Sequence, residues 1–242
     1  MFGVSATPNL DKRPGPSSRR TVIGVHPGSS VAGATKRWGV GNYQELMRRC
    51  GTEFDCDWLV FGGSGEEHLA EQLQAVRPER ITAVVGLPFA SVVRHLDSCD
   101  LFVANDSALM HIAALRGVPV LALWAYSDYH RTSPFGARNV LIRAKLACSP
   151  CLTLDQRFVA TCPSQLHCIR SVTVDEVWPI AKLWMHTCLD GRELLAERVG
   201  VLPCVAACTR LSHGCLVVDL ARDDFVPLLE PDRSSRWAED SR

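Results

Sequence analysis

From Thr21 to about His186 the hydrophobic positions follow two alternating rhythms. Short β-branched or apolar runs at Thr21–His26, Asp57–Phe61, Ile81–Val85, Leu101–Ala104, Val118–Trp124 and Val140–Arg143 have the length and composition of strands. Between them, Asn42–Cys50, Glu66–Val76, Phe89–Asp97 and Ser107–Arg116 place apolar residues three and four apart, which predicts helices. Pro88 and Gly117-Val118-Pro119 bound the last two. Strand and helix in strict alternation make βαβ units, so the expected fold class is α/β, a doubly wound Rossmann-like parallel sheet. Val172–His186 predicts one further helix. Residues 1–20, rich in Pro, Gly, Ser and Arg with little to bury, read as a flexible leader. Residues 187–242 lose the rhythm, carry Cys188, Cys204, Cys208 and Cys215 irregularly, and receive no element. Their charged end, Pro231–Arg242, is expected to be disordered. The expected organisation is therefore 1–20, 21–186 and 187–242.

Open α/β sheets bind ligands beyond the carboxyl ends of their strands, so the segments that follow the strands carry the candidate chemistry. The first strand runs into His26-Pro27-Gly28-Ser29-Ser30, the second into Gly62-Gly63-Ser64-Gly65-Glu66-Glu67, and the fourth into Asn105-Asp106-Ser107-Ala108-Leu109-Met110-His111. Asp106 or Ser107 can cap the helix that follows, which by itself is ordinary. His111, one turn on, can face the same way as Ser107, so that a dipole-positive helix end and an imidazole meet where a diphosphate would sit. Glu66 and Glu67 suit a helix start whatever their function, and one of them could accept hydrogen bonds from a ribose. The Gly-rich turn lacks the lysine of a phosphate-binding P-loop. Lys36 and Arg37, beside Trp38, could neutralise phosphate, or could be a solvated basic pair.

Charge narrows the partners. Lys+Arg and Asp+Glu both number 26, so the chain offers no broad basic face for a phosphate backbone, and nucleic acid is excluded as an expected partner. No apolar run approaches the roughly 20 residues that span a bilayer, and Met1–Arg20 holds no signal-like stretch, so no transmembrane segment and a cytoplasmic location are expected. Among 11 cysteines, Cys148, Cys151, Cys162 and Cys168 form a C-x2-C-x10-C-x5-C pattern. Four thiolates so spaced could hold a tetrahedral zinc or iron ion in a closed, structural site, with His167 as a substitute ligand. Alternatively they are four reduced cysteines in a surface excursion.

Taken in order, His26-Pro27-Gly28-Ser29-Ser30, Lys36-Arg37-Trp38, the Gly-rich turn with Glu66, Asp100 through Ser107, Met110-His111-Ile112-Ala113-Ala114 and Gly117-Val118-Pro119 resemble the donor-binding domain of glycosyltransferase family 9. The best-known members of that family are the ADP-heptose:lipopolysaccharide heptosyltransferases. The resemblance covers about Thr21 to His186 and implies one half of a GT-B enzyme with ADP-heptose as donor. It implies that Ser29 lies in the donor-binding segment and that Lys36 meets the donor phosphates or sugar. It places Glu66 at the ribose, and Asp106, Ser107, Ala108 and His111 at the diphosphate and the transferred heptose. Ala108 stands where the family usually has Gly. The family's acceptor site and general base belong to an N-terminal domain with no counterpart here, so no catalytic base is matched. The implied acceptor is lipopolysaccharide core or an autotransporter protein. Similar cysteine arrangements in the family hold iron, which implies a structural metal here. A non-catalytic nucleotide-sugar-binding module, acting beside a separate acceptor-binding domain or chain, is the alternative. A metal-stapled interaction module is a second.

Overall fold

A computed structural model describes residues 19–151, 162 and 164–222. The expectations for residues 1–18, for most of the loop between Cys151 and Cys162, and for Pro231–Arg242 lie outside the described residues. Eight strands form one sheet: β1 Thr21–His26, β2 Cys56–Gly62, β3 Ile81–Val85, β4 Leu101–Asn105, β5 Val120–Trp124, β6 Val140–Ala144, β7 Val205–Arg210 and β8 Leu216–Leu220. Their order is β3-β2-β1-β4-β5-β6-β8-β7. All neighbours are parallel except β7 and β8, which form an antiparallel hairpin. The helices are α1 Val40–Glu53, α2 Glu67–Gln74, α3 Phe89–Ser98, α4 Ala108–Leu115, α5 Tyr129–Thr132, α6 His167–Arg170, α7 Val174–Leu189 and α8 Ala196–Gly200. Every predicted strand and helix is present, with ends shifted by three residues or fewer, as expected where caps and propensities compete at boundaries. The doubly wound α/β class is what forms.

The sheet is covered on both faces, which explains why its strands read as continuous apolar runs. On one face Tyr43, Leu46 and Met47 of α1, Leu73 of α2 and Trp184 of α7 pack on Ile23, Val25, Val103 and Ile142. On the other, Val92 and Leu96 of α3 and Met110 and Ala113 of α4 pack on Phe61, Phe102 and Trp124. Chain direction across the sheet reverses between β1 and β4, where a doubly wound sheet opens a crevice at its carboxyl edge. Residues 187–222, to which the apolar pattern assigned no element, supply α8, β7 and β8. β8 pairs in parallel with β6 and buries Leu216, Val217, Val218 and Leu220 in the same cores, so the sheet runs on past His186 without a break. Among the described residues no helix is long and apolar enough to cross a membrane.

Candidate functional site

The crevice between β1 and β4 is organised from below by Asn105, the last residue of β4. Its side chain is wholly buried and makes four hydrogen bonds. Oδ1 accepts from the Trp38 backbone N–H at 3.0 Å and the Tyr43 hydroxyl at 2.8 Å, and Nδ2 donates to the Pro27 and Gly28 carbonyls at 2.8 and 3.0 Å. One amide thereby fixes the loop after β1 and the start of α1 against β4. Above it lie two linked polar groups.

In the first group, Asp106 is buried and its Oδ2 accepts from Lys36 Nζ and from Ser127 Oγ, each at 2.6 Å. Lys36 ends a 3-10 turn, Val31–Lys36, and its Nζ also lies 5.8 Å from the centroid of the Tyr126 ring. His111 stands close enough for both charges to act on it. Burial pushes its imidazole below the ordinary value, with Asp106 opposing and Lys36 reinforcing. A neutral His111 at pH 7 follows. Ala108 opens α4 behind its N-cap Ser107, which makes no side-chain cap bond because its hydroxyl lies against His26 Nδ1 at 3.0 Å. Ala108 is exposed at the first helical position, and its backbone is not among the positive-φ residues, so a methyl group fits where the resemblance expects Gly.

In the second group, Glu66 precedes α2 and gathers four donors. Oε1 accepts from the Ser29 N–H at 3.0 Å and Arg37 Nη2 at 2.9 Å, and Oε2 accepts from the Gly63 N–H at 2.9 Å and faces His26 Nε2 at 3.4 Å. Burial pushes this carboxyl up, but His26 and the Gly63 and Ser29 amides outweigh it and bring it down to about 2. Gly28 makes room for this carboxylate, because a Cβ on it would collide with Glu66 Oε1 and push the side chain off its donors. Ser29 is buried and turned inward: its hydroxyl accepts from Arg37 Nε at 3.1 Å and its carbonyl from Arg37 Nη2 at 2.7 Å. His26 joins the two groups, since its Nδ1 lies 3.0 Å from Ser107 Oγ.

Ser29, Lys36, Glu66, Asp106, Ser107, Ala108 and His111 are therefore brought to one end of the sheet. Ser29 and Glu66 spend their polar atoms on protein partners. The chain matches the model of glycosyltransferase family 9 (heptosyltransferase) over residues 2–160. It belongs to that family. Lipooligosaccharide heptosyltransferase 2 of Campylobacter jejuni is 28% identical over 170 residues, 67% of this chain and 50% of that relative. The family fold is seen in the E. coli ADP-heptose lps heptosyltransferase II, with a TM-score of 0.55 at 23% identity, covering 72% of this chain and 47% of that one. It is seen again in the iron-containing dodecameric glycosyltransferase TibC of enterotoxigenic E. coli H10407, with a TM-score of 0.55 at 16% identity, covering 73% and 49%. This family 9 chain spans about half the length of the relatives it matches.

Sequence reasoning missed His26, Asn105 and Ser127. His26 and Asn105 sat inside quoted motifs, and their polarity at strand ends was the available signal. Ser127 had none. The four cysteines of the C-x2-C-x10-C-x5-C pattern come near one another: burial pushes Cys168 up to about 12, helped by Cys151, Cys162 and Cys148, and Cys162 Sγ accepts the Leu166 N–H at 3.3 Å. Among the described residues, however, no three His, Cys, Asp or Glu side chains are gathered closely enough to hold a metal ion. His167 lies at the start of α6, beside Cys168.

Proposed function

We propose that this chain is the donor-binding part of a heptosyltransferase, taking an ADP-activated heptose into the β1–β4 crevice in the cytoplasm. The observation that carries the reading is the convergence of Lys36, Asp106, Ser107, Ala108 and His111 around the uncapped start of α4 in a family 9 chain. Amide N–H groups at a helix start, a lysine and an imidazole are donors suited to a diphosphate. In this reading Ser107 and Ala108 offer backbone N–H groups, and Lys36, held on Asp106, adds a point charge. Negative charge grows on the departing nucleoside diphosphate during transfer, so these fixed donors favour the transition state over the ground state. His111, kept neutral by burial, can donate to the diphosphate or the sugar. Glu66 stands at the ribose end. Its carboxylate already serves four protein donors, so its part is to hold the Ser29 and Gly63 loops around the nucleoside. Removal of the acceptor's proton needs a base. That base and the acceptor site, for lipopolysaccharide core or an autotransporter protein, are assigned to a separate domain or chain.

Titration calorimetry with ADP and ADP-heptose tests this. Binding is expected, and Lys36→Ala should weaken it about 10- to 100-fold, the range of a charge-assisted hydrogen bond of roughly 1.5–3 kcal/mol. A folded sample that binds neither ligand overturns the reading. Because the matched relatives are about twice as long as the match, a second reading is a nucleotide-sugar-binding module without transfer activity. Binding of ADP-heptose without transfer, even in the presence of an acceptor domain, would favour it.

For the cysteines we propose a structural zinc or iron held by Cys148, Cys151, Cys162 and Cys168. Support comes from the thiol donor set and the N–H turned toward Cys162, and binding would have to draw the four thiols closer together than they stand here. Thiolate ligands are tightened by such N–H contacts, and four of them leave no open position, so the metal would staple the loop and take no part in transfer. Metal analysis of the purified chain is expected to find about one ion per chain, with loss in Cys148→Ser.

A further inference from the structure

His26 touches both polar groups of the crevice, and it is almost fully buried. Its tautomer follows from its neighbours. Glu66 already takes hydrogens from the Ser29 and Gly63 backbone N–H groups and from Arg37, so it acts as an acceptor, and His26 Nε2 must carry a hydrogen toward it. With a neutral ring, Nδ1 is then a bare lone pair, and the only hydrogen available for the 3.0 Å contact is that of Ser107 Oγ. The Ser107 hydroxyl is thereby consumed, and only oxygen lone pairs face the crevice at the start of α4. A second proton on the ring reverses this contact. Nδ1–H then donates to Ser107 Oγ, whose own hydrogen swings free to donate outward, and an imidazolium rests on the Glu66 carboxylate.

We infer that His26 is a proton-linked positioning residue: uptake of one proton on its imidazole turns Ser107 from an acceptor into a donor toward a bound nucleoside diphosphate. The inference rests on the donor-site reading. An anion gains both a hydroxyl donor and a nearby positive charge when the ring is protonated, so binding the anion draws a proton from solvent, and affinity rises as pH falls. No covalent bond changes; the proton comes from buffer and returns to it on release.

Other charges near the ring bear on the sign. Glu66 favours the imidazolium, Arg37 opposes it through its own contact with Glu66, and the Lys36–Asp106 pair lies one residue from Ser107 as a nearly neutral unit. His111 is the second imidazole of the crevice and can also take up a proton.

The test is calorimetry with ADP-ribose between about pH 6 and about pH 8.5, in buffers of different ionisation enthalpy. A nucleotide sugar is the right probe because its diphosphate is esterified at both ends and lacks the second phosphate ionisation near pH 6 of a terminal phosphate. The expected result is net proton uptake on binding, with affinity falling as pH rises by at most about tenfold per pH unit, the limit for one proton. His26→Gln should bind with a flattened pH profile. Ser107→Ala, which keeps the ring and removes the relay, should lose most of the gain at low pH, and Ser107→Thr should restore it. His111→Gln should keep the pH dependence whatever it does to affinity. Binding with no proton uptake, or pH dependence that survives His26→Gln and vanishes in His111→Gln, overturns the inference while leaving the donor site intact. No binding of ADP-ribose or ADP at any pH by the folded protein overturns both.

Discussion

Asn105 links four backbone or hydroxyl groups that have no water to turn to, so truncation removes more than its own bonds. Asn105→Ala leaves buried groups unsatisfied at about 1–3 kcal/mol each, partly relieved by relaxation. A loss of about 3 kcal/mol in urea unfolding is expected. Asn105→Asp should be no milder, because its second oxygen would face the Pro27 and Gly28 carbonyls, which need a donor, from a wholly buried position. Glu66 gives a pH signature of its own. Its carboxyl is lowered in the folded state to about 2, below the ordinary glutamate range, so its stabilisation is fully present above that range. It fades as pH falls from the ordinary range through about 2. The urea midpoint should therefore decline across that window, and Glu66→Gln should decline less. At this scale the sequence disclosed chemistry more readily than partnership. That Lys36, Asp106, Ser107 and His111 would meet was expected because they lie in the segments that follow β1 and β4, at the carboxyl edge of the sheet. That Ser29 would face Arg37, or that His26 would bridge Glu66 and Ser107, depends on residues up to 81 positions apart and leaves no local trace.

At the scale of elements, α7 shows how a terminus is held. The Thr173 N–H and hydroxyl donate to Glu176 Oε2 at 2.9 and 2.8 Å, forming part of a capping box. Arg222, just beyond β8, donates to both Glu176 oxygens, at 2.6 and 3.2 Å, and to the Ser171 carbonyl at 2.9 Å. The end of the hairpin is thus pinned to the start of a helix 46 residues earlier. Arg222→Ala should cost about 2 kcal/mol, the worth of a partly shielded, charge-assisted pair, and should raise amide exchange in the first turn of α7. α1 to α4 could be read from their periodicity and bounding residues. β7 could not: Val205–Arg210 is an edge strand of mostly half-exposed residues, Ala, Cys and Thr among them, with no strong alternation. β8 did offer a signal, a short apolar run after Gly214. That run is short and carries Asp219 near its end, so by itself it does not distinguish a strand from a loop.

For the molecule as a whole, the consequence lies in where the fold ends. β8 buries four large aliphatic side chains against β6 and its neighbours. At about 1.5–3 kcal/mol for each fully buried side chain, they contribute on the order of 6–12 kcal/mol, comparable to the net stability of a typical domain. Deletion of residues 187–242 should therefore leave an aggregating chain without a cooperative thermal transition. A soluble, cooperatively melting 1–186 fragment would contradict this. The parallel sheet and its carboxyl-edge site were legible from the alternation of runs, because that rhythm is what two-sided burial imposes.

Within the hairpin, Asp219 stands directly opposite Arg143 in the β6–β8 register, with Oδ1 and Nε 3.2 Å apart but not hydrogen-bonded to each other. Arg143 also donates to the Ser149 carbonyl and lies 4.6 Å from the Tyr129 ring. Sliding β8 by one residue would set Asp219 against an apolar wall and leave Arg143 buried without its counter-charge, so only one alignment is tolerated. The hairpin is in effect keyed. A peptide spanning residues 203–222, supplied to a chain that lacks it, should reconstitute the sheet by complementation, and the same peptide carrying Asp219→Leu should lose that fidelity.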